Sequence, residues 1–298
     1  MRRRQLLKTL SLAGLGLSVS TGRQFAADAK TAREIAVFTR FLEHLPADAL
    51  GEAIAQLGVA GLEAPLRPGG HIEPDDLAEQ LPAFAAELAR HDLRVVIAAS
   101  GINRADAAAE AQLRAAAAAG IRQYRMGYLH YDLSRPFKPQ IADFTARLND
   151  LAALNREIGI QGLYQNHRGR RFVGGPVWDI VGMLEDIDPA DIGVAFDFAH
   201  ATVEGQNAWE MHFHRALPHI GAVYFKDYRY QNGNWQACPL GRGAVDPRSA
   251  KLVDELLPAT VPISLHVEYV RGGDDIAETL PAAMRENLAT LHSWFEAE

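Results

Sequence analysis

From residue 34 onward the chain alternates short apolar runs with longer amphipathic stretches. Eight runs have the composition of buried strands, at residues 34–40, 60–64, 93–98, 121–126, 160–165, 192–197, 220–226 and 262–268. Segments with helical spacing of alanine and leucine fall at residues 77–90, 105–119, 144–158 and 282–295. Eight such units in about 265 residues predict an α/β fold, a single-domain (β/α)8 barrel with parallel strands. An open doubly wound sheet is the alternative, but no glycine-rich dinucleotide loop follows the first strand.

The N-terminal segment predicts an export signal. Arginines at 2–4 precede a short apolar run at 10–19, and a small-residue cleavage site follows at 27–29. This order resembles a twin-arginine signal, and the run is shorter than the roughly 20 residues that a membrane span needs. We therefore expect residues 1–29 to be an export signal, residues 30–298 to form the barrel, and the protein to be periplasmic without stable membrane insertion after cleavage. A frayed basic tail or an uncleaved anchor is the alternative.

Composition and charge narrow the class of partner. Hydrophobic residues make up 48% of the chain and charged residues 22%, which suits one large domain with a buried core. The formal net charge of −7 and the scattered basic residues disfavour nucleic acid as a partner. Cys238 is the single cysteine, so the chain forms no internal disulfide and no cysteine-based zinc site. We expect a small-molecule partner, and an oligomer stays open.

Polar residues concentrate where the predicted strands end: Arg40, Glu63, Arg125, Gln165, Asp197, Lys226 and Glu268. In a (β/α)8 barrel these carboxyl ends form the active-site face. Side chains alternate along a strand, and this alternation puts three pairs on the inward face: Gln165 with His167, Tyr224 with Lys226, and His266 with Glu268. We therefore expect these side chains to converge with Asp197 at the mouth of the barrel.

Four segments carry a resemblance to a known family. Leu163-Tyr164-Gln165-Asn166-His167, Phe196-Asp197-Phe198-Ala199-His200, Tyr224-Phe225-Lys226-Asp227 and His266-Val267-Glu268 resemble, in order and position, the metal-bearing strand ends of the sugar phosphate isomerase/epimerase family, the xylose isomerase-like TIM barrels. The loops at residues 67–74 and 200–205 further resemble an exported subgroup of this family. The resemblance implies an enzyme that abstracts a proton next to a carbonyl of a sugar or keto-sugar, as an isomerase, an epimerase or a keto-sugar lyase.

The sequence departs from the family pattern at two of four ligand positions. The resemblance implies a divalent ion held by Glu, Asp, His and a second Glu, with the two glutamates transferring the proton. Gln165 occupies the position where the family pattern has its first Glu, and Tyr224 occupies the position of the His. Only Asp197 and Glu268 match the pattern. Glutamine binds an ion through its carbonyl oxygen but takes no proton, and a neutral tyrosine is a poor ligand for a hard cation.

Two completions of the site stay open. In the first, a divalent ion (Mn, Mg or Zn) is held by an oxygen and imidazole set: Gln165, Asp197, His200 and Glu268, with His167 as the other candidate imidazole. In the second, the ammonium of Lys226 supplies a fixed cation where the ion would lie, and it polarises the carbonyl less strongly than a metal.

We assign catalytic roles to Glu268 as the base, to Lys226 or the ion as stabiliser of the enediolate, and to His200 as an orienting group. Substrate contacts are expected from residues at the strand ends and in the loops after them: Glu63, Arg67, His71, Arg125, His167 and Tyr224.

Alternatively, the acids only pair with basic neighbours and the histidines are structural. Trp178, Trp209 and Trp235 are expected to pack more often than to bind sugar. A non-catalytic carbohydrate-binding barrel is the main rival function; a relative of apurinic-site endonucleases is disfavoured by charge.

Overall fold

Eight parallel strands close into a barrel in the computed structural model, which describes residues 33–273 and 275–296. The strands are β1 (Ile35–Phe38), β2 (Gly61–Pro65), β3 (Arg94–Ala99), β4 (Gln123–Arg125), β5 (Gln161–Gln165), β6 (Ile192–Asp197), β7 (Ile220–Phe225) and, after a hairpin of β8 (Asp227–Gln231) and β9 (Asn234–Cys238), β10 (Ile263–Leu265). Neighbours pair in chain order, and β1 pairs with β10 to complete the barrel. The (β/α)8 prediction is confirmed. The predicted export signal, residues 1–29, lies outside the described residues.

Helices surround this barrel: α1 (Ala47–Ala55), α2 (Leu77–Ala89), α3 (Ala107–Ala118), α4 (Phe137–Ile158), α5 (Trp178–Leu184), α6 (Phe198–Gly205), α7 (Trp209–Ala216), α8 (Arg248–Leu256) and α9 (Ile276–Glu296). Local signals set several ends. The Asp106 carboxylate accepts the Ala109 N–H and starts α3, and Gly159 adopts a φ of 77° that ends α4. Within the described ranges, no helix combines the length and apolar character needed to cross a bilayer.

The interior of the barrel is filled by an apolar plug made of Ala36, Val96, Ile97, Leu163, Ala195, Ala222 and Tyr224. A larger apolar layer lies between the strands and the helices. Below the plug, the Gln123 amide donates to Gln161 Oε1 at 2.7 Å, so these polar groups inside the barrel are paired. The plug separates this end from the carboxyl ends of the strands, where the polar residues of the candidate site lie.

The hairpin of β8 and β9 is an addition that the sequence analysis did not predict. It follows β7 directly and pairs Asp227 with Cys238 at its base and Gln231 with Asn234 at its tip. Its turn is Asn232-Gly233, and both residues have a positive φ, 53° and 79°. An Asn-Gly pair flanked by aromatic residues is a strong hairpin signal, so this hairpin could have been predicted from the sequence. It extends the wall of the barrel mouth beside Lys226.

Candidate active site

Lys226 lies at the centre of the barrel mouth between two carboxylates. Its Nζ is 3.0 Å from Asp197 Oδ2 and 3.2 Å from Glu268 Oε1. Lys226 comes directly after β7, Asp197 ends β6, and Glu268 follows β10, so three neighbouring strands bring these groups together. Burial alone would lower the pKa of Lys226, but Asp197 and Glu268 outweigh it and raise the pKa above its ordinary value. The side chain is therefore an ammonium at neutral pH.

Asp197 is fixed on every side. Its Oδ1 accepts the His200 N–H at 2.9 Å and caps helix α6, and its Oδ2 accepts the Gln165 amide at 2.7 Å. The Asn166 side chain pairs with the main chain of Asp197, accepting its N–H at 2.7 Å and donating to its carbonyl at 3.1 Å. Because both carboxylate oxygens and the backbone are held, Asp197 positions its neighbours and has little freedom to move a proton.

A second group of buried charged side chains, centred on Glu63 and Arg125, lies beside the group around Lys226. Glu63 is fully buried, and its Oε1 accepts from Arg125 Nε at 2.7 Å while its Oε2 accepts the Ser264 hydroxyl at 2.7 Å. His266 Nε2 lies 2.8 Å from the same Oε2. Burial would raise the pKa of Glu63, but His266 and Arg125 lower it to about 2. Glu63 is thus an ionised anchor for Arg125.

Gln165 joins the two charge groups. Its Oε1 accepts from Tyr128 at 2.6 Å and from Arg125 Nη1 at 3.1 Å, while its amide nitrogen donates to Asp197. Arg125 Nη1 also donates to the Tyr128 hydroxyl at 2.9 Å. A continuous network therefore runs from Glu63 through Arg125 and Gln165 to Asp197, and it fixes the orientation of the amide.

Glu268 differs from the other two acids in being partly accessible, with 15% of its side chain exposed. Its Oε2 accepts the Tyr228 hydroxyl at 2.9 Å, and Tyr228 comes from the hairpin. Burial would raise the pKa of Glu268, but Lys226, followed by His266, holds it well below its ordinary value. Glu268 is therefore ionised at neutral pH and reachable from the mouth.

Two histidines form one wall of the mouth. The ring centroids of His167 and His200 are 4.0 Å apart, and His200 packs against the Tyr228 ring at 5.7 Å. Burial, followed by the charge of Lys226, lowers the pKa of His167 to about 4 and that of His200 well below its ordinary value. Both rings are therefore neutral at pH 7.

Some buried polar atoms around this network lack a hydrogen-bond partner among the described residues: Arg125 Nη2, Tyr224 Oη, His266 Nδ1 and both ring nitrogens of His200. Buried polar groups are nearly always paired in proteins, so each such atom calls for an explanation. Their grouping at one end of the barrel is a feature expected of a site that pairs them with a polar ligand.

The predicted residues in the loops after β1 and β2 lie at the edge of this network or outside it. Arg67 lies over the Phe38 ring at 5.9 Å, next to Arg125 over the same ring at 5.0 Å, and is half-buried. Arg40 is exposed and lies over Phe41. His71 points elsewhere: its Nε2 lies 2.8 Å from the Thr39 hydroxyl, and it lines a separate groove beside α1 and α2. The structure gives His71 no contact with Lys226 or Arg125.

The predicted metal ligands do not fit a divalent ion in this arrangement. An ammonium lies between the two carboxylates that would hold the ion, and Gln165 directs its carbonyl oxygen to Arg125 and Tyr128. His200 Nε2 is 3.6 Å from Asp197 Oδ2. Among residues 33–273 and 275–296, no cluster of three or more His, Cys, Asp or Glu side chains has a geometry suited to a metal. The ligand set stays a prediction.

Four residues of the network were not assigned roles from the sequence: Tyr128, Asn166, Tyr228 and His266. His266 was placed on the inward face by alternation, and Asn166 lies in one of the four segments that resemble the family. Their partners are acids and amides on strands distant in sequence, for instance His266 with Glu63. Such pairings depend on the register of the closed barrel, which a single sequence does not provide.

Comparison with known proteins supports the fold assignment. A family model described as xylose isomerase-like TIM barrel matches residues 52–294. No curated protein matches the chain. A putative xylose isomerase from Rhodospirillum rubrum is similar in structure, with a TM-score of 0.68, 16% identity, and coverage of 88% of this chain and 99% of that one.

Two further solved structures show the same similarity. The Escherichia coli 3-keto-D-glucoside 4-epimerase has a TM-score of 0.64 and 18% identity, over 88% of this chain and 99% of that one. A xylose isomerase-like barrel from Mycobacterium smegmatis, solved in complex with magnesium, has a TM-score of 0.59 and 16% identity, over 88% and 98%. At these identities the similarity demonstrates a shared fold.

Proposed function

Because the chain belongs to the xylose isomerase-like TIM barrel family, we propose that it is an enzyme that moves a proton next to a carbonyl of a sugar or keto-sugar. The observation that carries this proposal is the ammonium of Lys226 beside the accessible carboxylate of Glu268 at the catalytic end of the barrel. A carboxylate base beside a fixed positive charge is the pair that enolisation of a carbonyl compound requires. Structural neighbours include a 3-keto-D-glucoside 4-epimerase, which supports the substrate class.

In this proposal Lys226 takes the electrostatic role. The substrate carbonyl oxygen accepts a hydrogen bond from Lys226 Nζ, and the negative charge that develops there is stabilised in a buried setting, where electrostatic interactions are strong. Asp197 and Glu268 raise the pKa of Lys226, so the ammonium is charged when the substrate binds, and we assign it the role of a fixed cation. The Mycobacterium smegmatis barrel was solved in complex with magnesium, whereas in this proposal the ammonium of Lys226 supplies the positive charge.

Glu268 is the proposed base. It removes the proton from the carbon next to the carbonyl, and the electron pair of that C–H bond forms the double bond of an enediolate. As negative charge grows on the substrate oxygen, it competes with Glu268 for Lys226, so the pKa of Glu268 rises and the carboxyl group becomes able to return the proton. The hydroxyl of Tyr228 holds Oε2 in place during the transfer.

A single accessible carboxylate narrows the reaction class. Glu63 and Asp197 are fully buried and held by several partners, and Gln165 has no acidic proton to give. One base on one face can return the proton to a neighbouring carbon or permit loss of a leaving group from it, whereas inversion needs a second base on the opposite face. We therefore favour isomerisation or elimination over epimerisation.

The substrate hydroxyls have candidate partners in the same network. Arg125 Nη2, Tyr224 Oη and the His200 ring are buried polar groups with no partner in the described chain, and His167 and Arg67 border them. A sugar is rich in groups that both donate and accept hydrogen bonds, so its hydroxyls match neutral imidazole, phenol and guanidinium together. Glu63 acts through Arg125, and His71 is left outside the proposed site.

The test is incubation with a panel of ordinary and 3-keto sugars in deuterated water. We expect deuterium at the carbon next to the carbonyl, and we expect Glu268→Gln to reduce the turnover number by about a hundredfold or more with little change in substrate affinity. Glu286→Gln, which alters an exposed acid on α9, is the matched control. Near-native exchange by Glu268→Gln would assign the base elsewhere, and sugar binding without exchange by the wild type would favour the carbohydrate-binding barrel.

We also propose that the protein is exported by the twin-arginine route. The order of basic, apolar and small residues over 1–29 supports this. Replacing Arg3 and Arg4 together by lysine is expected to retain the protein in the cytoplasm, while the wild type is exported and shortened near Ala29. Cell fractionation with an antibody to the mature chain measures this, and equal periplasmic fractions for both proteins would refute it.

A further inference from the structure

A second groove lies beside the proposed active site, on the face of the hairpin. Its volume is about 590 Å³, which leaves ample room for one sugar ring. Aromatic and polar side chains line it together: Thr202, Gln206, Asn207, Tyr230, Trp235 and Asp246. Binding sites for small molecules typically combine such apolar surfaces with a few polar groups.

The apolar part of the groove is a pair of aromatic rings. Tyr230 on β8 is opposite Trp235 on β9, and their ring centroids are 5.4 Å apart with the planes inclined at 64°. Tyr230 is 64% exposed, and Trp235 is partly exposed. Such a cross-strand pair stabilises the hairpin, and contiguous exposed apolar surface of this kind also often marks a binding site. One side of a pyranose ring presents aliphatic C–H groups, which pack well on such a surface.

The polar part of the groove suits hydroxyl groups. The side-chain amides of Gln206 and Asn207 make no hydrogen bond to any described residue, and each both donates and accepts. Asp246 uses Oδ1 to accept the Arg248 N–H at 2.9 Å, which leaves its second oxygen as an acceptor. Gln206 also has a positive φ of 45°, a costly conformation for a residue other than glycine and one that clusters at ligand sites.

The hairpin contributes side chains to both the groove and the active site. Tyr228 and Tyr230 lie on the same face of β8, two residues or roughly 7 Å apart, and the Tyr228 hydroxyl binds Glu268. The opposite wall comes from α6, the helix that Asp197 caps. A ligand in the barrel mouth and a ligand in the groove therefore approach the same hairpin from neighbouring positions.

A buried carboxylate keeps the groove in shape. Asp227, the first residue of the hairpin, accepts the N–H groups of Gly241, Gly243 and Val245 at 3.0, 2.9 and 3.0 Å. The Ala244 N–H donates to the Tyr228 carbonyl at 2.9 Å. These bonds tie the loop that carries Asp246 to the hairpin, so the groove exists before any ligand arrives.

We propose that this groove binds a second, neutral sugar ring, so that the substrate is a disaccharide or another glycoside and not a free monosaccharide. The proposal rests on the proposed function in one respect, since the first ring is assigned to the barrel mouth. The ring in the groove stacks on Trp235 and contacts the inclined ring of Tyr230, and its hydroxyls pair with the amides of Gln206 and Asn207. The groove therefore selects for chain length, while the mouth selects the reacting ring.

Saturation-transfer NMR titrations test this with cellobiose, maltose and sucrose, and with glucose as the single ring. For the wild type we expect at least one disaccharide to bind more tightly than glucose. Trp235→Ala is expected to raise the Kd of that disaccharide by about tenfold and to leave the Kd of glucose unchanged. Trp235→Phe, which keeps a ring, should restore most of the affinity. Trp178→Ala removes a 46% exposed tryptophan from α5, outside the groove, and should change neither Kd.

Tyr230→Ala provides a second readout, because a side chain this exposed contributes little to folding. Unchanged disaccharide affinity in both Trp235→Ala and Tyr230→Ala would overturn the proposal, as would equal loss of glucose and disaccharide affinity, or no disaccharide that binds more tightly than glucose. Deuterium exchange is measured separately from these titrations. Exchange without groove binding refutes only the groove, and groove binding without exchange refutes only the reaction.

Discussion

Replacing Lys226 by methionine removes the ammonium that separates two carboxylates in the barrel mouth. From the distances of 3.0 and 3.2 Å to Lys226 Nζ, the oxygens of Asp197 and Glu268 are at most about 6 Å apart. At an effective dielectric constant of about 20, two unit charges at that separation repel by about 3 kcal/mol. Breaking a buried ion pair costs about 3 to 5 kcal/mol in general. We therefore expect the variant to lose at least about 3 kcal/mol of unfolding free energy at pH 8.

The loss depends on pH with a definite sign. In the wild type the pKa of Glu268 is lowered, so its ionised form stabilises the fold above the ordinary carboxyl pKa, and this contribution is lost as pH falls through the folded value. In Lys226→Met the largest cause that lowers the pKa of Glu268 is gone, and we expect burial to raise this pKa above its ordinary value. The ionised carboxylate then destabilises the fold at pH 8, and protonation relieves this as pH falls. The difference in unfolding free energy between Lys226→Met and the wild type should therefore become smaller towards pH 5.

Urea unfolding followed by circular dichroism at pH 8 and pH 5 measures both effects. Lys251→Met, which removes an exposed lysine from α8, is the matched control. Its urea unfolding midpoint should equal that of the wild type. An unchanged unfolding midpoint for Lys226→Met at pH 8 would refute the reasoning. So would a deficit of the same size at both pH values, because it would mean that the lysine contributes packing and not charge.

Two further predictions concern the buried supports of the site. Glu63→Gln leaves the Arg125 guanidinium buried without its anion, and we expect a loss of about 3 to 5 kcal/mol in urea unfolding; a loss under 1 kcal/mol would refute the pairing. Gly243→Ala places a Cβ 2.2 Å from Asp227 Oδ1, so thermal melting should show a lower Tm, whereas Gly182→Ala on α5, with open space around it, should raise the Tm slightly. Similar shifts for the two alanine variants would contradict the strain argument.

The barrel itself was predictable because its signals are local. The strand predicted at residues 192–197 coincides with β6, and the helix predicted at residues 77–90 ends one residue beyond α2. Apolar composition and helical periodicity within each unit carry that information. Strand ends were less accurate: the run predicted at residues 262–268 yields only Ile263–Leu265. His266 still donates its N–H to the Phe225 carbonyl of β7 at 2.8 Å, and the chain leaves the ladder after it, where Glu268 contacts Lys226 and Tyr228.

The convergence of the site was partly predictable for the same reason. Alternation along the strands and the barrel rule were enough to bring Lys226, Asp197 and Glu268 together, as the distances confirm. They were not enough for the Glu63 to His266 pair, which joins residues 203 positions apart. Nor could alternation and the barrel rule show that His71 lies outside the mouth, because its position depends on the path of its loop. Side-chain partners across a closed barrel follow from register and loop path, and neither has a local signature.

Asp197 serves two tasks with its two oxygens, one capping α6 and the other binding Lys226 and Gln165. Asparagine at this position would keep the cap and lose the charge, while glutamate would keep the charge and displace the cap. Each conservative replacement therefore fails at a different task. In evolutionary terms the position has no neutral single step, so we expect deep mutational scanning to find it intolerant even of its two nearest chemical relatives. The start of α6 and the counter-charge of Lys226 thus depend on a single residue.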